Sequence, residues 1–274
     1  MAAKAPQRAV ITGAASGLGC ALSEELARRG TALLLLDVNE DGLAAQAAVL
    51  ARHGVPIETR VCDVANLEEV EAAAAFGRER LGPVDFVANN AGVAVGGPFD
   101  QIDMEDWTWI FGVNLWGVVH GCRAFLPQLR ERGGGAILNV ASAAGLLNAP
   151  RMAPYNVTKA GVISLSETLA TELAREEIRV SALCPTFFET SILESSRGVK
   201  GKEQRLAAAL MRRSKIQAAD VARQAIDETL AGVGTIVPMP DGRWLWRLKR
   251  ATPRMFPRLA RAAYERGRRR LEQP

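Results

Sequence analysis

Two tyrosines and two histidines are all that the 274 residues contain, and the four cysteines, Cys20, Cys62, Cys122 and Cys184, lie far apart with no C-x-x-C among them. That scarcity excludes a disulfide framework and a zinc site, so no metal is expected. The cysteines read instead as small buried apolar residues in a reducing compartment. Long hydrophobic runs are missing too: no window reaches the ~18 apolar residues of a membrane-spanning helix. The start, MAAKAPQRAVITG, passes from a short polar lead straight into an apolar strand, without the apolar core of a signal peptide. A cytoplasmic location is expected.

Acidic residues are scarce only at one end. From Arg243 to Pro274 there are 11 Lys+Arg against 2 Asp+Glu, whereas the preceding residues carry 23 against 28. The basic character of the chain therefore belongs to its tail, and a nucleic-acid partner for the whole protein loses its support.

What is present is an alternation. With 48% hydrophobic residues, the chain can bury one large core, and one domain is the default. Short apolar runs (RAVIT, ALLLLD, IETRVCD, VDFVANNAG, AILNVAS, IRVSALCP, TIVP) are separated by longer helical patterns, one of them a long helix near WTWIFGVNLWGVVHGCRAFLPQLRERG. This order predicts an α/β fold, a doubly wound parallel sheet of the Rossmann type in three layers. The domain spans 1–240 with a less regular flap at about 187–213, and a basic amphipathic extension follows over 241–274.

The first apolar run ends in T-G-A-A-S-G-L-G, Thr12 to Gly19, and a helix follows. Glycines at a strand-to-helix turn let the backbone fold tightly and approach a pyrophosphate, while the helix start offers free N–H groups and a positive dipole end. The next strand ends at Asp37, 24 residues after Gly13, near the ~20 expected for the carboxylate that takes ribose hydroxyls. A carboxylate there repels a 2'-phosphate, and no Arg or Lys lies in the turn or just after Asp37. NAD is the expected cofactor and NADP the lesser reading.

Further along come N-N-A-G at Asn89 to Gly92, Ser142, and Y-x-x-x-K at Tyr155 to Lys159. With the G-x-x-x-G-x-G turn, this ordered set resembles the short-chain dehydrogenase/reductases over residues 8 to about 240. The resemblance implies that Tyr155 is the acid/base, that Ser142 hydrogen-bonds the substrate oxygen, that Lys159 grips the nicotinamide ribose, and that Asn114 bends its helix to hold a proton-relay water. It also implies cofactor contacts from Gly13, Ser16, Gly17, Leu18 and Gly19, from Asp63 and Val64, and from Asn90, Ala91 and Gly92 on the adenosine side. Pro185, Phe188 and Thr190 would serve the nicotinamide end. One departure stands out: Pro185-Thr186 replaces the usual Pro-Gly, and the β-branched side chain is expected to crowd the nicotinamide.

The chemistry asks for these groups. Hydride removal from a secondary alcohol leaves a proton on oxygen, and a free phenol of pKa ~10 is too weak a base at neutral pH. Lys159, one helical turn on, is expected to lower it. Residues able to line a pocket (Val93–Gly96, Ala143, Ala144, Leu147, Asn148, Met152, Phe187, Phe188 and the flap) are mostly apolar, so the expected substrate is a small hydrophobic alcohol or ketone. The expected assembly is a homodimer or homotetramer through helices at 105–131 and 154–176, as the resemblance implies.

Rival readings remain open at this point. One is an NADPH-dependent 3-oxoacyl carrier-protein reductase, which Asp37 argues against; another is a non-catalytic nucleotide-binding protein attached to membranes by its tail. The tail pairs Trp244, Trp246, Leu248, Phe256 and Leu259 with arginines, so it can pack on the domain or a partner subunit, or lie on an anionic membrane. Pro253 and Pro257 are expected to interrupt any long helix there.

Overall fold

The computed structural model describes residues 5–186, 188, 196–198 and 216–272. Seven parallel strands appear where the apolar runs predict them: β1 (Arg8–Thr12), β2 (Ala32–Asp37), β3 (Ile57–Val61), β4 (Phe86–Asn89), β5 (Gly135–Val140), β6 (Ile178–Leu183) and β7 (Thr235–Ile236). Their order in the sheet is β3-β2-β1-β4-β5-β6-β7. The chain therefore winds outward from β1 in one direction and from β4 in the other, which opens a crevice between the loops that follow these two strands.

The helices are α1 (Gly17–Arg28), α2 (Glu40–Leu50), α3 (Leu67–Leu81), α4 (Met104–Phe111), α5 (Gly117–Glu131), α6 (Ala143–Leu147), α7 (Ala153–Glu172), α8 (Ala218–Leu230), α9 (Pro240–Ala251) and α10 (Phe256–Glu272). Strands such as ALLLLD are apolar at consecutive positions because both faces are covered. Leu33 and Leu35 face one buried cluster with Leu22, Leu26, Val221 and Ile226. Leu34 and Leu36 face the other, with Val70, Phe125 and Val162.

Two differences from the sequence reading concern helices. The long helix around residue 114 is three pieces, because a π-helical turn, Gly112–Trp116, interrupts it between α4 and α5. The tail holds two helices, with the break at Thr252–Met255 beside Pro253, whereas Pro257 is absorbed into the first turn of α10. Most of the flap, including Phe187, Thr190, Ser191–Ser195 and 199–213, lies outside the described residues.

Candidate active site

The turn after β1 works because two of its glycines take left-handed backbone, Gly13 at φ 65° and Gly17 at φ 50°. A Cβ on Gly13 would also lie 2.8 Å from the Ala91 Cα, and one on Gly19 would overlap the Gly13 carbonyl. β4 braces this turn from across the crevice: the Asn90 side chain donates to the carbonyls of Thr12 (2.9 Å) and Gly13 (3.0 Å). The Thr12 hydroxyl in return accepts from the Asn90 and Ala91 N–H groups at 2.9 and 3.0 Å. Asn90 thus shapes the turn. Thr12, which the sequence reading passed over, is the other half of the brace, and nothing in its spacing distinguishes it from an ordinary strand residue.

Asp37 sits at the end of β2 with Oδ2 accepting from the Ala15 N–H and Oδ1 from the Asn39 N–H, each at 3.0 Å. The carboxylate is thereby fixed beside the glycine turn. Arg60, opposite Leu36 in the neighbouring strand, holds its guanidinium over the Phe76 ring at 5.3 Å. Ser16 is the exposed N-cap of α1, and its hydroxyl makes no cap hydrogen bond. The side chain of Leu18 is buried in the core, so only its backbone faces the turn. Asp63 caps its own loop through Oδ1 and the Ala65 N–H, 2.9 Å, and the Val64 carbonyl accepts from His120 Nδ1 at 2.9 Å. An exposed helix start, a glycine cradle with no room for a Cβ, and a fixed carboxylate one strand away suit a dinucleotide, with the diphosphate at α1 and ribose hydroxyls at Asp37.

The catalytic candidates meet at the other side of Gly92, where a Cβ would lie 3.3 Å from both Asn114 Oδ1 and Lys159 Nζ. Asn114, fully buried, accepts from the Val93 N–H (2.8 Å) and donates to the Val93 carbonyl (2.9 Å). It lies in the π-helical turn. Such turns leave backbone groups without their regular helical partners, and they recur at functional sites. Ser142 ends the segment after β5 as the N-cap of α6, its hydroxyl accepting from the Ala144 N–H at 3.1 Å. Tyr155 and Lys159 lie one turn apart on α7, both buried.

The Ser142 hydroxyl lies near enough to the Tyr155 phenol to act on its pKa. Lys159 Nζ lies 5.8 Å from the centroid of the Tyr155 ring and donates to the Val140 carbonyl at 2.8 Å. Here the electrostatics differ from the sequence expectation. Burial raises the Tyr155 pKa above the ordinary phenol, against the lowering effect of the Ser142 hydroxyl. Burial also pushes Lys159 down to about 8. In a dry site desolvation disfavours the charged form of each group, so the phenol remains protonated at neutral pH.

Tyr155 belongs to an apolar cluster with Ala94, Val95 and Ile110, flanked by Val93, Trp109, Ala144 and Met152. Several of the residues expected to line a pocket are thus brought together around the phenol. Phe188 is not among them: its side chain is 6% exposed and packs in the core with Leu18 and Val221. Arg197, in the expected flap, also reaches the Tyr155 cluster. Its backbone bonds Ala94 O and the Gly96 N–H at 2.9 and 3.1 Å. Its guanidinium lies 3.9 Å from the Trp109 ring centroid and 3.1 Å from Asp106.

A family model for short chain dehydrogenases matches residues 7–200. The chain belongs to that family. A 1-deoxy-11-beta-hydroxypentalenate dehydrogenase of Streptomyces avermitilis is 36% identical over 188 residues, 68% of this chain and 70% of the relative. A short chain dehydrogenase/reductase from Burkholderia phymatum, solved in complex with NAD, is 34% identical at a TM-score of 0.86, covering 93% of this chain and 96% of its own. An alcohol dehydrogenase from the archaeon Thermococcus sibiricus, complexed with 5-hydroxy-NADP, is 29% identical at a TM-score of 0.73, covering 84% and 95%. The family is one of oxidoreductases that use a nicotinamide cofactor, and members similar to this chain carry either form of it.

In this short chain dehydrogenase Thr186 packs toward Gly242 and Asp241. Its methyl leaves no room for a Cβ at Gly242, 2.7 Å away, and its hydroxyl is 3.4 Å from Asp241 Oδ1. The side chain therefore contacts the start of α9. Among the described residues no group of His, Cys, Asp or Glu could hold a metal ion, and no helix is long and apolar enough to cross a membrane. All four cysteines are free.

Proposed function

We propose that this short chain dehydrogenase interconverts a hydrophobic secondary alcohol and its ketone, with NAD(H) as cofactor. The observation that carries the reading is the buried constellation of Ser142, Tyr155 and Lys159 beside an apolar cluster, next to a glycine turn to which Asp37 is bonded. Nicotinamide, when bound, exchanges the hydride with the substrate carbon.

The chain's own groups handle the proton and the geometry. Ser142 and Tyr155 both offer hydrogen bonds to the substrate oxygen, and Tyr155, protonated at neutral pH, gives its proton to the carbonyl oxygen as the ketone is reduced. Lys159 keeps a positive charge close to the phenol and supports the phenolate that results. Val95, Trp109 and Met152 exclude water and favour an apolar substrate. The fixed Asp37 carboxylate supports NAD over NADP because it repels a 2'-phosphate. Exposed Trp116 and Val157, 55% and 49% accessible on the helical faces expected at subunit contacts, support a homo-oligomer.

The test is turnover of a panel of hydrophobic ketones and alcohols followed by NADH absorbance. Tyr155→Phe should lower kcat at least ~10²-fold, in line with loss of a positioned acid. Unchanged turnover with a good substrate would refute the mechanism. NADH and NADPH dissociation constants, measured in parallel, decide the cofactor.

A further inference from the structure

α6 holds Ser142 at its N-cap, yet it is a single turn of five residues. Nothing that short is stable by itself, because fixing one turn costs more conformational entropy than its hydrogen bonds return. Its position must come from its neighbours, and three attachments are visible. The Ala143 N–H donates to the Pro185 carbonyl at 2.9 Å. Gly145 rests against the α7 backbone, with the Lys159 carbonyl carbon 2.6 Å from where a Cβ would stand. The third comes from the C-terminal extension: Lys249 Nζ donates to the Leu146 carbonyl at 2.6 Å.

The Leu146 carbonyl is one of those at a helix end that have no partner within the helix. A cation there satisfies the carbonyl and also opposes the negative end of the helix dipole. α9 is well placed to deliver it. Its first turn is set by Gly242 against Thr186 and Val237, and Trp246 packs on the same apolar cluster as Leu146. Arg250 lies over Trp246 at 5.3 Å. Lys249 is partly buried and its pKa is lowered by that burial.

We propose that Lys249 is a positioning residue: from α9 it caps the Leu146 carbonyl of α6 and thereby holds Ser142 in place beside the Tyr155 phenol. The basic extension is then part of the active-site framework from Pro240 to Ala251. The inference rests on the catalytic reading of Ser142 and Tyr155, but its test does not need turnover.

The full-length protein is labelled with [13Cζ]tyrosine, and the two signals are assigned with Tyr264→Phe. The Tyr155 resonance at neutral pH reports the surroundings of its phenol, and Ser142→Ala calibrates complete loss of the Ser142 hydroxyl. Lys249→Met should move the Tyr155 signal toward the Ser142→Ala position, leave Tyr264 in place, and raise amide exchange in α6 at least ~10-fold while α7 is unchanged. Lys249→Arg, which retains a cationic donor, should restore the wild-type signal. With an active ketone in hand, kcat should fall ~10-fold in Lys249→Met with NADH affinity unaltered. A Tyr155 signal and α6 exchange that both stay at wild-type values in Lys249→Met would overturn the proposal. Lack of turnover with every ketone would refute the function and leave the spectroscopic result standing.

Discussion

Gly145→Ala puts the geometry of the site at risk with one methyl group. The added Cβ would lie 2.6 Å from the Lys159 carbonyl carbon and 2.7 Å from the Ala160 nitrogen, whereas carbon atoms in ordinary contact stand about 3.5–4.0 Å apart. The shortfall is about 1 Å, and the opposing atoms are helix backbone that cannot swing aside. α6 must therefore draw back from α7 by roughly that distance, carrying Ser142 away from Tyr155. A displacement of about 1 Å at reacting groups costs about 10²-fold in rate, and overpacking of this kind destabilises by about 1–3 kcal/mol. The measurements are kcat for a ketone substrate, NADH affinity by fluorescence, and Tm. We expect kcat to fall about 100-fold and Tm by roughly 3–10 °C. NADH affinity should stay within about 2-fold, because the Gly13–Gly19 turn and Asp37 lie on other elements. Turnover within about 3-fold of wild type, alongside the expected loss in Tm, would refute the link between the α6–α7 contact and catalysis.

Asp37→Asn removes the charge while retaining an oxygen for the Ala15 or Asn39 N–H. NADH should bind about 10-fold more weakly, as expected for one charged hydrogen bond, and the ratio of NADPH to NADH affinity should rise in direct titrations. Lys159→Met should abolish turnover yet stabilise the fold near neutral pH. The folded pKa of Lys159, about 8, lies below its ordinary 10.5. The unfolded chain therefore binds more protons between these values, and stability rises with pH across that window. The cost of the buried charge, about 3 kcal/mol less about 1 kcal/mol for the Val140 carbonyl left unpaired, is present in full below pH 8. The gain from Lys159→Met in urea unfolding should thus be about 2 kcal/mol at pH 7, reach zero somewhat below pH 10.5, and become a loss of about 1 kcal/mol at higher pH.

The seven strands were legible because each is an apolar run between helical patterns, and parallel pairing requires both faces to be covered. The glycine turn, Asp37 and the Tyr155–Lys159 spacing were legible for a related reason: each occupies the end of an element at the crevice side of the sheet. α6 left no trace in the pattern, since AAGLL is too short to show a period. The contact of Thr186 was not legible, because spacing alone does not give the direction of a side chain and the residue it touches, Gly242, is 56 positions later. Phe188 looked like a pocket residue for its size and place, but the nearby core had room for it. The tail was read from composition as an appendage. Its attachment depends on Lys249 and Trp246, whose partners are far away in sequence.

Burial moves Tyr155 up and Lys159 down to about 8, so at neutral pH the phenol stays protonated beside an ammonium that is still charged. That bias has a direction. A protonated phenol is ready to donate, which suits ketone reduction at neutral pH; alcohol oxidation needs the phenolate, which becomes populated only as pH rises toward the elevated Tyr155 pKa. Reduction should therefore hold its rate through neutrality and decline at alkaline pH, while oxidation climbs over the same range. Ser142→Ala removes the hydroxyl that lowers the phenol pKa, so it should displace the oxidation limb to still higher pH. Measured as kcat/KM for the two directions, limbs that run the opposite way, or an oxidation limb that moves to lower pH in Ser142→Ala, would assign the proton transfer to another group.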